Sequence, residues 1–372
     1  MKIFIGEIMS CNLNYQPNYI VCELIDNFEI TETVEKADII VFPGTCSCTK
    51  ENILFSLNYI SSILKRKKSN AKTYMTGCLT RKFINSELFD IEKWLNEHID
   101  FIIPQNEPNL LLQQISQEKF GNRKREDFGL YTISQNNVGT IYISNGCLNN
   151  CSFCKTTFQK LPLKSADIDE VKNVISEFDK REIKKIILKG TNVSQYGLDL
   201  NGTYMLPLIV DCIESTKSIR ELDLIGFAFK DAIHNDFSYV FKNSSKLRGI
   251  SGALESGSDR LLDLMRKGFT SKEIIKFIET ISKKYPKELI LNIIAGFPTE
   301  NIEDIKLTLE VLKLLNPSTV DICRYTNSKF VDSNKYPQLS PTEIENHTRI
   351  YQKVLSRRKI NTMITGKSYI NN

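Results

Sequence analysis

From Met1 to Ile103, short apolar runs alternate with amphipathic stretches whose apolar residues recur at helical spacing. The apolar runs predict strands at Lys2–Ile8, Asp38–Phe42, Lys72–Thr76 and Asp100–Ile103, and the amphipathic stretches predict helices near 16–27, 50–67 and 84–96. Strands that alternate with helices imply a parallel sheet covered on both faces, and such sheets bind ligands beyond the carboxyl ends of their strands. Residues 104–138 break the pattern. They read as a connector with Pro104 and Pro108, a short helix to about Glu118 and the basic run Arg123-Lys124-Arg125, taken as a solvated linker. Alternation resumes at Gly139, with strands expected at 139–145, 183–189, 221–227, 249–255, 288–295 and 318–325. These predict an open (β/α)6 partial TIM barrel whose carboxyl-end loops carry the chemistry. The polar tail has a helix from Pro341 to about Arg358, with proline at its start. The expected organisation is therefore an α/β domain at 1–103, a linker at 104–138, a second α/β domain at 139–328 and a helical tail at 329–372.

Bulk properties narrow the class of protein. A hydrophobic content of 41% and a charged content of 25% are those of an ordinary globular chain, and 372 residues suffice for two cores. No run of 18 apolar residues exists, so no membrane partner is expected. The start, Met1-Lys2-Ile3-Phe4-Ile5-Gly6-Glu7, lacks the apolar core of an export signal, which places the protein in the cytoplasm. Ten cysteines grouped in loops after strands then point to metal or redox work in a reducing compartment. With only His98, His234 and His347, imidazole catalysis is poorly supplied. A formal net charge of +5 permits a nucleic-acid partner without requiring one.

The densest chemistry is Gly146-Cys147-Leu148-Asn149-Asn150-Cys151-Ser152-Phe153-Cys154, a Cys-x3-Cys-x2-Cys triplet directly after a predicted strand. Three thiolates in one loop suit an iron-sulfur cluster one ligand short, whose fourth iron is open to a substrate or cofactor. Zinc or a disulfide is the competing reading, although zinc prefers four ligands and no second cysteine pair lies nearby. A second set is dispersed. Cys11, Cys46 and Cys78 follow the first three strands at intervals of 35 and 32 residues, each one strand-helix unit. Right-handed crossovers bring such loops to one sheet edge, so a second cluster is preferred over three buried structural thiols. Cys48 reads as a bystander, and Cys22, Cys212 and Cys323 as small core residues.

The triplet resembles that of the radical S-adenosylmethionine (SAM) superfamily, and the two cysteine sets together look like the radical SAM methylthiotransferases, which modify tRNA nucleosides or a ribosomal protein. The resemblance covers nearly the whole chain to about residue 326. In the first domain it rests on Cys11, on Ala37-Asp38-Ile39-Ile40-Val41 leading to Thr45-Cys46-Ser47, and on Thr76-Gly77-Cys78. In the second it rests on Gly146 to Cys154, Gly190-Thr191-Asn192-Val193-Ser194-Gln195-Tyr196-Gly197, Ser256-Gly257-Ser258-Asp259-Arg260 and Ala295-Gly296-Phe297-Pro298-Thr299-Glu300.

The resemblance implies a Rossmann/flavodoxin-like methylthiotransferase domain followed by a radical SAM barrel. Cys147, Cys151 and Cys154 would hold the [4Fe-4S] cluster at which SAM is cleaved to a 5'-deoxyadenosyl radical, with Phe153 near the adenine. Cys11, Cys46 and Cys78 would hold an auxiliary [4Fe-4S] cluster whose open iron carries the sulfur to be methylated and transferred. Two SAM molecules would serve each cycle, with an electron donor such as flavodoxin or ferredoxin. Strand-end loops of both domains would share one cleft. Gly190 and Gly257 would allow close backbone approach to a ligand, while Asn192, Glu255 and Ser256 would offer polar groups to SAM. Turn and cap chemistry is the alternative for all of these.

The chain departs from the family pattern at Lys160-Leu161, Ser165-Ala166, Gly44, Glu255 and Lys267; lysine at 267 keeps the charge of the usual arginine but loses its bidentate fork. Only 46 residues follow Thr326, so the family's RNA-binding TRAM domain is expected to be lacking. The expected activity is insertion of a methylthio group at an unactivated C-H of a tRNA nucleoside. Alternatives are methylthiolation or other radical sulfur modification of a peptide or protein, a radical SAM enzyme whose auxiliary cluster only relays electrons or anchors substrate, and a non-catalytic iron-sulfur sensor.

Overall fold

The computed structural model describes residues 1–7, 20, 21, 24, 28–45, 50–80, 91–104, 108–116, 131–133, 137–154, 162–235, 237, 244–282, 288–329 and 331–365. The chain divides near residue 130 into two compact units.

The first unit holds a parallel sheet of strands β1 (Lys2–Ile5), β2 (Glu29–Ile30), β3 (Ile39–Phe42), β4 (Lys72–Met75) and β5 (Phe101–Ile102), in the order β2-β1-β3-β4-β5. Both faces are covered, which is why β3 reads as an unbroken apolar run rather than an alternating one. Ile40, Phe42 and Met75 pack against Leu57, Ile60 and Ile63 of helix Lys50–Leu64 and against Ile91 and Leu95 of helix Ile91–His98. Ile39, Val41 and Tyr74 face the opposite core with Ile20, Leu24 and Leu111. The expected first strand is shorter than its apolar run. β1 ends at Ile5, and the Gly6 N–H then bonds to the carbonyl of Val41 at 2.8 Å. Strand β2 was not anticipated, since two exposed residues carry no periodic signal. Most of the helix expected near 16–27 lies outside the described residues.

In the second unit β7 (Val138–Asn145), β9 (Lys185–Gly190), β10 (Glu221–Phe227), β11 (Leu247–Glu255), β12 (Glu288–Ala295) and β13 (Thr319–Arg324) pair in parallel and in chain order, the open connectivity of a partial barrel, and the short β8 (Lys164–Ser165) pairs antiparallel with the end of β7. Helices are started by side-chain caps: Asp167 accepts from the N–H groups of Asp169 and Glu170 before helix Ile168–Lys180, and Asn301 with Asp304 closes a capping box on helix Ile302–Leu315. Burial alternates along the strands. Ile186, Leu188, Leu222, Leu224, Leu291 and Ile322 enter one large core with the helices, whereas Lys185, Lys189, Asp223, Asn292 and Asp321 on the other face stay half-buried. One face of this sheet is thus closed and the other open and polar.

Two strands lie where the sequence predicts none. Within the expected connector, β6 (Tyr131–Ile133) pairs antiparallel with the start of β7. The tail was read as helical, but after helix Pro341–Arg357 the strand β14 (Asn361–Thr365) adds in parallel to β13. That helix is fastened from below: the Glu300 carboxylate accepts from Tyr351 Oη at 3.1 Å and sits 2.7 Å from His347 Nδ1. Among the described residues no helix is long and apolar enough to cross a membrane.

The tightest backbone crossing lies between β9 and β10. Gly226 has φ +85°, and a Cβ there would stand 2.0 Å from the Gly190 carbonyl oxygen. Gly226→Ala is therefore expected to cost at least about 2 kcal/mol, a fall in the melting midpoint of roughly 4–8 °C. Thermal unfolding of the metal-free chain followed by circular dichroism checks this; an unchanged midpoint would contradict the crossing.

Candidate metal centre

The cysteine loop begins where β7 ends. Asn145 accepts the Gly146 N–H at 2.9 Å, and Gly146 turns the chain with φ +77°, a conformation that glycine adopts without strain. From there the backbone of the loop is tied to its surroundings at Leu148 and Ser152. The Leu148 N–H donates to Gln195 Oε1 at 2.8 Å. Ser152 makes three bonds: its N–H to the Met265 carbonyl at 3.1 Å, its hydroxyl to the Leu264 carbonyl at 2.7 Å, and its carbonyl from the Ser333 N–H at 2.9 Å. Phe153 packs into an apolar cluster with Leu261, Met265 and Phe297, edge to face with Phe297 at 6.4 Å between centroids.

Cys147, Cys151 and Cys154 are half-buried free thiols. Cys147 Sγ accepts from the Asn149 N–H and from Asn192 Nδ2, each at 3.4 Å. Burial pushes the Cys147 thiol up, against these two donors, and the nearby Cys154 and Asp231 push it further. Burial likewise raises Cys151 to about 11, opposed by the Lys267 ammonium and reinforced by Cys154, Glu255 and Cys147. In the metal-free chain Cys147 and Cys151 are therefore protonated at neutral pH. A metal must displace those protons.

Among the described residues no three Cys, His, Asp or Glu side chains close on one point fit for a single metal ion. In a four-iron cluster each sulfur takes its own iron. The donor set, three thiols with N–H donors aimed at one of them, fits such a cluster.

Most of the other residues expected at this site are turned inward. Asn192 is 1% exposed and caps the turn Val193–Gln195 by accepting from the Ser194 N–H, so its amide faces Cys147 rather than open space. Ser256 is buried, with its hydroxyl between Thr308 Oγ1 at 3.2 Å and the Ser258 N–H at 3.1 Å. The room left by Gly190 is taken by Ser144, whose Oγ would lie 2.4 Å from a Cβ there; that left by Gly257 is taken by the helix backbone at Thr308. Both glycines serve close packing of chain on chain. Glu255 ends β11 at a register shift with φ +68°, and its buried carboxylate meets Lys267 Nζ at 3.6 Å.

Asp231, Gln195 and Tyr204, which no motif singled out as ligands or supports, complete the surroundings of Cys147. Asp231 Oδ2 accepts from Asn149 Nδ2 and Asn192 Nδ2, and Oδ1 from Gln195 Nε2 and the Tyr204 hydroxyl.

In the first unit, Cys11 and Cys46 lie outside the described residues, and Cys78 is described in its backbone alone, opening the short turn Cys78–Thr80. The strands that precede the three cysteines, β1, β3 and β4, are neighbours in the sheet. Thr45, the residue before Cys46, donates to the Thr76 carbonyl and accepts from the Leu79 N–H, both at 3.2 Å, so positions 45 and 78 are held side by side.

The model of the radical SAM superfamily matches residues 141–312. The chain is 27% identical to ribosomal protein uS12 methylthiotransferase RimO of Thermosipho africanus over 352 residues, 91% of this chain and 80% of the relative. It is 26% identical to tRNA-2-methylthio-N(6)-dimethylallyladenosine synthase of Fervidobacterium nodosum over 343 residues, 88% of this chain and 76% of that one. The radical SAM methyltransferase TsrM of Kitasatospora setae, solved with cobalamin and a [4Fe-4S] cluster, superposes with a TM-score of 0.58 at 11% identity over 90% of this chain and 76% of its own, a likeness of fold.

The Glu255–Lys267 pair yields a pH signature. Burial raises the Glu255 carboxyl above its usual 4.5, with Lys267 opposing. A carboxyl raised on folding favours the folded state below its unfolded value, and that contribution is lost as the pH rises through the folded one. Glu255→Gln should therefore gain thermal stability relative to wild type as the pH goes from 5 to 8. Parallel melting curves of the metal-free proteins would refute the assignment.

Proposed function

We infer that this chain, a radical SAM enzyme of the methylthiotransferase kind, inserts a methylthio group at an unactivated C-H of a tRNA nucleoside, using SAM and two [4Fe-4S] clusters. The observation that carries this reading is the Cys147, Cys151, Cys154 tripod at the carboxyl end of the first parallel barrel strand, in a chain related along most of its length to methylthiotransferases. When bound, an iron-sulfur cluster with SAM at its free iron supplies the radical that removes hydrogen from a carbon no side-chain base can deprotonate.

The protein's own share is positioning. Cys147, Cys151 and Cys154 would each hold an iron. The Asn149 N–H and the Asn192 amide direct hydrogen bonds at one of those sulfurs, which ligating thiolates require for fixed orientation and tuned potential. Phe153 and Phe297 wall the loop with apolar edges. The open face of the second sheet, with Lys189 over the Tyr142 ring at 5.7 Å and Asn292 bonded to Asp321 at 3.2 Å, offers a polar floor for substrate. Cys11, Cys46 and Cys78 would hold the second cluster, supported by their place after three adjacent strands and by the Thr45 bridge.

The net charge of +5 is compatible with the tRNA substrate, and the identity to the enzyme named for a tRNA adenosine supports it. A protein side chain is the second reading, favoured by the comparable identity to the enzyme named for uS12. Anaerobic reconstitution should load about eight irons per chain, and the triple variant Cys11→Ala, Cys46→Ala, Cys78→Ala about four. That variant should still cleave SAM yet lose methylthio transfer. Mass spectrometry of tRNA lacking the modification, set beside ribosomal protein and peptides, decides the substrate; a mass gain in neither sinks the transferase reading, and a full iron load in the triple variant sinks the second cluster.

A further inference from the structure

Asp231 sits at the start of helix Phe229–His234, 5% exposed, and among the described residues no lysine, arginine or histidine pairs with it. A buried carboxylate without a counter-ion is costly unless hydrogen bonds replace its water. Here four neutral donors do so: Gln195 Nε2 at 3.1 Å and Tyr204 Oη at 3.3 Å on one oxygen, Asn192 Nδ2 at 3.2 Å and Asn149 Nδ2 at 3.4 Å on the other. They match the roughly four lone-pair sites of a carboxylate.

Each amide in this set is held at both ends. Asn192 accepts from the Ser194 N–H at 3.1 Å while its nitrogen divides between Asp231 and Cys147 Sγ. Gln195 accepts the Leu148 N–H and donates to both Asn149 Oδ1 and Asp231. Neither side chain can flip without losing bonds at a buried site. Removing Asp231 would leave several donors without an acceptor, which marks it as the centre of the arrangement.

We propose that Asp231 is a positioning residue that sets the reduction potential of the cluster held by Cys147, Cys151 and Cys154, by fixing Asn192 as a donor to Cys147 Sγ and by placing a buried negative charge one amide away from that sulfur. The inference rests on the cluster reading of the tripod. The two effects oppose each other. A donor to a ligating sulfur stabilises the more negative, reduced cluster and raises the potential, while a fixed negative charge disfavours that state and lowers it. Asn192 Nδ2 lies 3.2 Å from Asp231 Oδ2 and 3.4 Å from Cys147 Sγ, so the carboxylate stands one amide nitrogen away from the sulfur. The pairing lets the site keep a rigid donor without giving up the low potential that reductive cleavage demands.

The test uses the full chain with Cys11, Cys46 and Cys78 changed to alanine, so that only the loop cluster titrates, reconstituted anaerobically without SAM. Asp231→Asn keeps one carbonyl acceptor and removes the charge. With iron near four per chain, its midpoint potential, followed by electron paramagnetic resonance, should move positive. Asn192→Ala, which removes the donor, should move it negative. Opposite shifts support the inference; an unchanged or negative shift for Asp231→Asn at full iron overturns it. Should Asp231→Asn fail to fold or load, Asn192→Ala decides: a negative shift supports the coupling and no shift overturns it. A parent chain that loads no iron refutes the cluster reading itself, a different outcome from either.

Discussion

The second unit depends on one constraint: a loop too short for a core of its own must hold three thiols, two of which burial disfavours in their charged form. Burial and mutual repulsion raise Cys147 and Cys151, so nothing in the thiols organises the loop before metal arrives. Order comes from outside it. Ser152 is bonded to the end of one helix and to the Ser333 turn, Leu148 to Gln195, and the Cys154 N–H closes on the Cys151 carbonyl at 3.1 Å. Each bond contributes only about 0.5–1.5 kcal/mol, but together they fix the positions at which irons would be taken up.

The two sheets solve different problems with the same strand-helix repeat. In the first unit both faces are buried, which leaves the strand ends as the places where a parallel sheet meets a ligand. In the second, helices cover one face and leave the other half-open, with charged and polar side chains on alternate strand positions. A sheet closed on both sides presents only its edge to a ligand, whereas one closed on a single side offers a floor as well. The strand-end site at Cys147 therefore has an open polar surface next to it within its own unit.

The strands of both units were legible because alternation and apolar runs are local signals, and so was the tripod, whose spacing lies within one loop. What escaped was set by distance or by weak local pattern. β14 has the sequence Asn361-Thr362-Met363-Ile364-Thr365, too polar and short to stand out, and it exists because β13 offers a free edge. Gly190 was read as making room for a ligand, and only the fold reveals Ser144 in that room. Asp231 is one acidic residue in a short helix, and its partners lie 27, 36, 39 and 82 positions away in the chain. No motif encodes such a convergence. Glu255 stands out in the sequence as a departure from the family pattern, but its left-handed backbone and its ion pair arise from the bulge that ends β11.

The three sulfurs are not electrostatically equivalent, and the fold makes them so in a definite sense. Cys147 has two N–H donors and an anion behind them; Cys151 has the Lys267 ammonium, itself paired to a carboxylate. Both settings join an attraction for a thiolate to a negative group that limits it. Burial is the larger influence on both thiols, and Asp231 and Glu255 add to it, so a metal taken up at Cys147 and Cys151 must displace their protons against the donors and the ammonium that favour the thiolates.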